Sequence, residues 1–312
     1  MGCLLLALSA GLAVPSLPSP EDRAVAFLAR EVPRWHAENH CYSCHNNGDA
    51  ARALYTAKRL GYAVPDKALA DTTRWLARPA GWDHNGGEGE HNDKVLARVQ
   101  FAAALAEAME AGAVADPKPL AKAADLVAEK QHTDGSWHIS SDGVGSPASH
   151  SPALATWFAR RVLLRADPQR HRKAVAAAEA WLDRREVKTV HDAAVLLLFL
   201  EGRPGAAAAT RREQCLAVIR KGESRGGGWG PYVRSAPEVF DTALVLLALA
   251  KVKGDKEGAA MIRRGRAWLI AAQQGDGGWQ ETTRPPGGQS YAQHISTTGW
   301  AALALLATGR RP

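Results

Sequence analysis

The chain has 312 residues, 46% of them hydrophobic and 23% charged, proportions that exclude a disordered or collagen-like polymer and allow a sizeable core. Its formal charge of +7 is scattered through helical stretches instead of forming one basic stripe, so nucleic acid is not an expected partner. Four cysteines are too few for a disulfide scaffold, and ten Trp against five Phe and five Tyr mark indole as a residue used repetitively.

In chain order, residues 1–19 come first. The apolar run from Cys3 to Val14 is shorter than the roughly 20 residues of a membrane span but suits the core of a signal peptide, with Ala10, Gly11 and Ala13 as small residues near a cleavage site. No Lys or Arg precedes Arg23, so the basic segment that usually opens such a peptide is missing. The expectation is an exported chain, periplasmic or extracellular and without a stable membrane span, whose single domain covers residues 20–312. A first helix is predicted from 20 to about 35 and a second from 46 to about 60. Between them lies "ENHCYSCHNNG", with Cys41, Cys44 and His45 in the spacing of a c-type haem anchor. In such an anchor two thioethers fix the porphyrin and the adjoining His is an axial ligand. A zinc or other transition-metal clip using His36, His40 or His45 and a Cys41–Cys44 disulfide are the competing readings.

From there the sequence repeats itself. "KAADLVAEKQHTDGSW" (122–137) and "RGRAWLIAAQQGDGGW" (264–279) are the same unit: a helix, then Gln, then Gly-x-Trp. Weaker copies end at Trp82 and at Trp229, the latter without the Gln. Each unit is followed by a more apolar run, such as "HDAAVLLLFL" and "EVFDTALVLLALA", as expected of buried helices. Amphipathic outer helices alternating with apolar inner ones, separated by breaks such as "EGRPG", predict an all-α fold: six helical hairpins closed into an α/α toroid.

The Gln-to-Trp units resemble the QW repeats of the squalene-hopene cyclase and protein prenyltransferase superfamily, and the helix pairs cover nearly the whole chain. The resemblance implies that Gln and Trp tie the end of an outer helix to a neighbouring loop, and that the interior can offer an apolar pocket. It also implies an acid motif, Asp-x-Asp-Asp-Thr-Ala, whose middle Asp protonates the substrate. "EVFDTA" aligns with it on Asp241-Thr242-Ala243, which places Glu238 at the first acid and Phe240 at the proton donor. Phe cannot donate a proton. Asp241 then reads as an acid complementing the helix dipole, and Asp241, Glu238 and Asp192 are the candidate acids of an isoprenoid transferase or cyclase.

Histidines stand beside the start of most predicted inner helices: His45, His91, His150, His191 and His294. If those helices run parallel, their positive ends and these side chains face one mouth, where they would suit a metal, an anion or a distal haem ligand; helix capping is the plainer reading. The functional expectation is therefore a toroid carrying covalent haem c, or a metal, at Cys41, Cys44 and His45, acting in redox or electron transfer with a redox partner. An apolar small molecule is the ligand of the cyclase alternative, and a non-catalytic binding toroid is the third reading.

Overall fold

The computed structural model describes residues 17–84, 94–138, 151–252, 254–284, 287 and 290–309. Twelve α-helices lie among them: α1 (Pro20–Asn39), α2 (Ala51–Arg59), α3 (Asp66–Leu76), α4 (Lys94–Glu110), α5 (Lys118–Ala128), α6 (Pro152–Ala166), α7 (Arg172–Arg184), α8 (Val190–Phe199), α9 (Ala206–Gly222), α10 (Val239–Leu249), α11 (Lys256–Ala271) and α12 (Tyr291–Thr308). A π-helix, Cys44–Ala50, runs into α2, and a 3₁₀ segment, Pro79–His84, follows α3. No strand occurs among the described residues, and no helix there is long and apolar enough to cross a membrane.

Composition decides which helices face inward. In α8 every residue except His191 and Asp192 is buried, and in α10 every residue except Leu247. By contrast α7 buries Val175, Ala178 and Leu182 alone, one stripe at helical spacing. The even-numbered helices touch in a closed cycle, α2 to α4, α6, α8, α10, α12 and back to α2, so the fold is the α/α toroid that the repeats predict. Starts are written locally. Ser19 and Asp22 form a capping box ahead of α1, Ser151 accepts from Leu154 N ahead of α6, and Thr189 accepts from Asp192 N ahead of α8, each satisfying a helix donor that would otherwise lack a partner.

The tryptophans do the same job three times. Trp137, Trp229 and Trp279 are fully buried, and each indole donates to the carbonyl ten residues earlier, on Val127, Ile219 and Leu269, at 2.7–2.8 Å. Each backbone N–H of these residues donates to a threonine on the next inner helix, Thr156, Thr242 or Thr298. Gln131 and Gln273 donate both to their own loop, at the Gly135 and Gly277 carbonyls, and to the neighbouring outer helix, at the Ala174 and Pro20 carbonyls. The last contact joins the final unit to α1 and closes the outer layer. In the unit without Gln, Glu223 holds the equivalent place and receives Arg264 of α11 at 2.6 and 2.7 Å, an ion pair in place of the amide bridge. Gly135 and Gly277 sit at φ +98° and +96°, where a Cβ would stand 2.4 Å from the carbonyl oxygen of Ala177 or Arg23. Only glycine meets both the dihedral and the approach.

The first hairpin departs from expectation. Helix α1 continues to Asn39 through Pro33 and ends on His40 at φ 52°, and the inner partner opens as a π-helix instead of an α-helix. Gly299 of α12 explains the close fit on that side: a Cβ there would lie 2.9 Å from Ala50 Cα.

Candidate functional site

Two places gather the residues singled out in the sequence. The first is the turn from α1 into the π-helix. Tyr42, between the two cysteines, is sandwiched between His36 and Trp75, with ring centroids 4.0 and 4.4 Å away and nearly parallel planes, so the turn is pinned to α1 and α3. Ser43 closes the π-helix start, accepting from His45 N at 3.1 Å while its own N–H donates to Asn47 Oδ1 at 2.9 Å. Cys41 and Cys44 are half-buried on this turn. His45 Nδ1 lies 3.6 Å from Cys44 Sγ and 3.4 Å from Ser43 Oγ. Burial pushes the His45 imidazole below its ordinary range against the opposing pull of Asp49, so it is neutral at neutral pH, the form that ligates a metal.

Deeper along the same element, Asp49 and Arg52 form a buried ion pair at 3.1 Å. Ser296 of α12 donates to Asp49 at 2.8 Å, and the Arg52 guanidinium lies 4.4 and 4.8 Å from the Phe158 and Trp300 ring centroids. Desolvation lowers the Arg52 pKa. An arginine inside an inner helix is the sequence signal for this cluster. A cavity of about 320 Å³ beside Arg52 is walled by Ala103, Ala106, Phe158, Val162 and Leu164 together with Glu107, Glu110, Arg161 and Arg165, so apolar and charged groups share its lining.

The second place is the start of α8 and α10. Phe240 is fully buried, packed edge-on against Trp300 at 4.9 Å, so the position of the missing proton donor is filled with hydrocarbon. Asp241 is 1% exposed, and its Oδ2 accepts from Arg284 at 2.7 Å while Arg284 also reaches Glu238 at 2.5 Å. Asp241 is therefore the acid of a buried ion pair as well as a first-turn acid of its helix. Burial raises the Glu238 pKa, countered first by the Arg284 hydrogen bond. His191 Nδ1 stands 3.8 Å from Asp241 Oδ1, beyond hydrogen-bond reach. Asp192 accepts from Arg185 at 3.0 Å and from Thr189 at 2.8 Å, serving its own helix start. A cavity of about 280 Å³ opens here, walled by Arg185, His191, Asp192, Asp241 and Arg284.

The predicted ring of histidines divides among separate surroundings. His45 stays with Ser43 and Cys44, and His191 with Asp241 and Phe240. His294 lies between Glu281 at 3.6 Å and Asp276 at 3.9 Å, with Phe27 edge-on. His91 and His150 lie outside the described residues. Among the described residues no three His, Cys, Asp or Glu side chains are placed to hold one metal ion, and neither cavity is walled by Cys41, Cys44, His45 or His294.

A closed cycle of buried helices, QW-type packing and an acid motif at the start of α10 define a terpenoid-cyclase-like toroid. Residues 193–312 match the squalene-hopene cyclase C-terminal domain family. A probable squalene–hopene cyclase of Sinorhizobium fredii is 42% identical over 67 residues, which are 20% of this chain and 10% of that protein; the matched part is thus a small share of the curated relative. Among solved structures, a variant of the type II terpene cyclase MstE from Scytonema, in complex with geranylgeranyl dihydroxybenzoate as substrate, superposes with TM-score 0.58 at 17% identity, covering 93% of this chain and 96% of that one. The polysaccharide lyase BACCELL_00875 superposes with TM-score 0.53 at 13% identity, covering 93% and 97%. At those identities the superpositions show the fold alone. The superfamily resemblance carried by the repeats is borne out by fold and by the C-terminal match.

Proposed function

We propose that this chain is a terpenoid-cyclase-like toroid that holds covalent haem c at Cys41, Cys44 and His45 and works in redox or electron transfer after export to the periplasm or beyond. The observation that carries this reading is the donor set on one turn: two half-buried cysteines with His45 adjoining, its Nδ1 3.6 Å from Cys44 Sγ. These residues fit the group chemically. Cys41 and Cys44 would supply the thioether links and His45 the axial nitrogen, while the Tyr42 sandwich holds the turn in place. Bound there, haem supplies a one-electron couple. A zinc clip would draw on the same atoms, but it needs donors brought to one point, which the described residues do not offer.

The test is expression in a host with c-type haem maturation. Haem that stays with the chain under denaturing electrophoresis, and is lost in Cys41→Ala and Cys44→Ala, is the expected result. A colourless wild-type chain overturns the reading, and stoichiometric zinc by elemental analysis replaces it with the metal clip.

A second reading is an isoprenoid transferase or cyclase with Asp241, Glu238 or Asp192 as acid and an apolar small molecule as substrate. It is favoured by the family match, which runs through Asp241, and opposed by Phe240 and by the Arg284 ion pair. Product formed from squalene or a prenyl diphosphate, abolished by Asp241→Asn, would establish it.

A further inference from the structure

Both cavities are walled by α6, towards opposite ends of it, and they share no wall residue. Pro152 and Ala153 wall the one at the helix starts. Phe158, Arg161, Val162 and Arg165, which lie on a single face of α6 by their spacing, wall the other. On α4 the wall residues Ala103, Ala106, Glu107 and Glu110 show the same one-sided spacing. Pro152 and Leu164 stand about 18 Å apart along α6, at 1.5 Å per residue. The two cavities therefore enter the ring from its two ends.

What stands between them spans the ring. In the cycle of six inner helices α6 and α12 are opposite members, yet Phe158 of α6 and Trp300 of α12 meet edge to face with centroids 5.9 Å apart, and Phe240 of α10 meets Trp300 at 4.9 Å. Phe158 is the seventh of the 15 residues of α6 and Trp300 the tenth of the 18 of α12, so the contact lies near mid-height. Arg52 of α2 completes it, its buried guanidinium 4.4 and 4.8 Å from the Phe158 and Trp300 centroids. A desolvated cation over a ring face is held more firmly than an exposed one. Asp49, itself buried, accepts from Arg52 at 3.1 Å and from Ser296 at 2.8 Å, and swinging Arg52 aside leaves that carboxylate without its cation. The barrier is thus fixed from three helices.

We propose that Arg52, clamped between Phe158 and Trp300, is the residue that sets ligand length in this toroid: it closes the interior at mid-height, so that the half walled by α4 and α6 takes a short apolar ligand with a polar end and excludes a long isoprenoid chain. The apolar body of such a ligand lies against Ala103, Ala106, Phe158 and Val162. Its polar end remains at the rim, where the side chains of Arg161 and Arg165 are about half exposed and stand 3.9 and 3.8 Å from Glu107 and Glu110, beyond hydrogen-bond reach. These guanidinium groups are open to a hydroxyl. The volume of about 320 Å³ stands at the small end of ligand pockets, roughly 300–1,000 Å³. The inference does not use Cys41, Cys44 or His45, so loss of the haem reading leaves it standing.

The test is titration calorimetry of the full chain with geraniol and geranylgeraniol, alcohols of one chemistry and different length, delivered from the same cyclodextrin. Wild-type protein is expected to bind geraniol and to bind geranylgeraniol about tenfold more weakly, against the order that buried apolar area alone sets. Asp49→Asn with Arg52→Ala removes both charges together and opens the barrier, and the order is expected to reverse. Asp49→Asn with Arg52→Met refills the space with an unbranched apolar side chain and is expected to keep the wild-type order. Circular dichroism reports the folding of each variant. Should the alanine variant fail to fold, Phe158→Ala opens the barrier from α6 with the ion pair intact and is expected to narrow the difference between the two alcohols severalfold. The proposal is overturned by wild-type protein that prefers geranylgeraniol or binds neither alcohol, by a folded alanine variant that keeps the wild-type order, by a methionine variant that reverses it, or by an unchanged ratio in Phe158→Ala.

Discussion

The loops ending in Trp137, Trp229 and Trp279 and the turn from Cys41 to Ala50 occupy corresponding places, each between an outer helix and its inner partner, yet they are built on different principles. The tryptophan loops repeat one set of bonds, indole to a carbonyl and backbone N–H to a threonine, three times over. The Cys41 turn shares none of these bonds; it is held by a His36–Tyr42–Trp75 stack and opens a π-helix. Bonds repeated around a ring serve the ring, whereas the Cys41 turn is fixed by aromatic stacking and a π-turn, a feature common at functional sites.

This contrast can be broken most forcefully at the indoles. Trp229→Ala is expected to destabilise the chain by about 3–5 kcal/mol, because it leaves a large cavity and an unpaired carbonyl on Ile219; urea unfolding followed by circular dichroism measures it. A loss below about 1 kcal/mol would remove the structural reading of these residues. Gly277→Ala is next, at about 1–3 kcal/mol from a strained left-handed backbone pressed against the Arg23 carbonyl. Gly275→Ala, with open space at its Cβ, is the control and is expected to change stability little. Equal effects at the two glycines would mean that contact with α1 is unimportant. Gln273→Ala removes the bonds to the Pro20 and Gly277 carbonyls and is expected to cost about 1–2 kcal/mol, measured in the same way.

The thiols sharpen the contrast from the other side. Burial pushes the Cys215 thiol up to about 11, so in the native protein made without haem maturation iodoacetamide at pH 8 should label Cys41 and spare Cys215 until the chain is unfolded; mass spectrometry of tryptic peptides distinguishes the two. The smallest effect is a pH dependence at Asp134. Hydrogen bonds from the Ser136 backbone and hydroxyl hold its carboxyl at about 2, below its unfolded value, so its contribution is complete above that value and is lost as pH falls towards 2. The side chain is about half exposed, which limits the contribution to well under about 1 kcal/mol. Asp134→Asn should flatten the acid limb of the stability curve slightly.

Much of the fold was legible because it repeats. Gln131 and Gln273, with Gly-x-Trp at one spacing, reveal a unit, and a unit followed by an apolar helix reveals a hairpin. Glu223 was missed in the same series: an acid reads as a loss of the amide until Arg264 is seen beside it. At the candidate sites less was legible. The replacement of the proton donor by Phe240 could be read by alignment, but not the guanidinium of Arg284, 43 residues further along, that holds Asp241. The histidine ring was read from spacing along the chain, and spacing does not say which neighbour each ring meets. The acids that attend His294, Asp276 and Glu281, come from the loop before α12, and no periodicity marks them.

The sequence by itself therefore determined the helices, their inward and outward faces, the repeated tie between Trp and the preceding turn, and the chemistry available at Cys41, Cys44 and His45. These are local or periodic properties, set by side-chain polarity at helical spacing and by the dihedral freedom of glycine. Only the tertiary structure decided that Arg284 neutralises Asp241, that Arg52 lies buried against Phe158 and Trp300, and that a cavity walled by Arg185, Asp241 and Arg284 opens beside His191. Those facts depend on which distant segments meet once the ring closes, and the energy of a buried charge or polar atom is fixed by the partner it finds there.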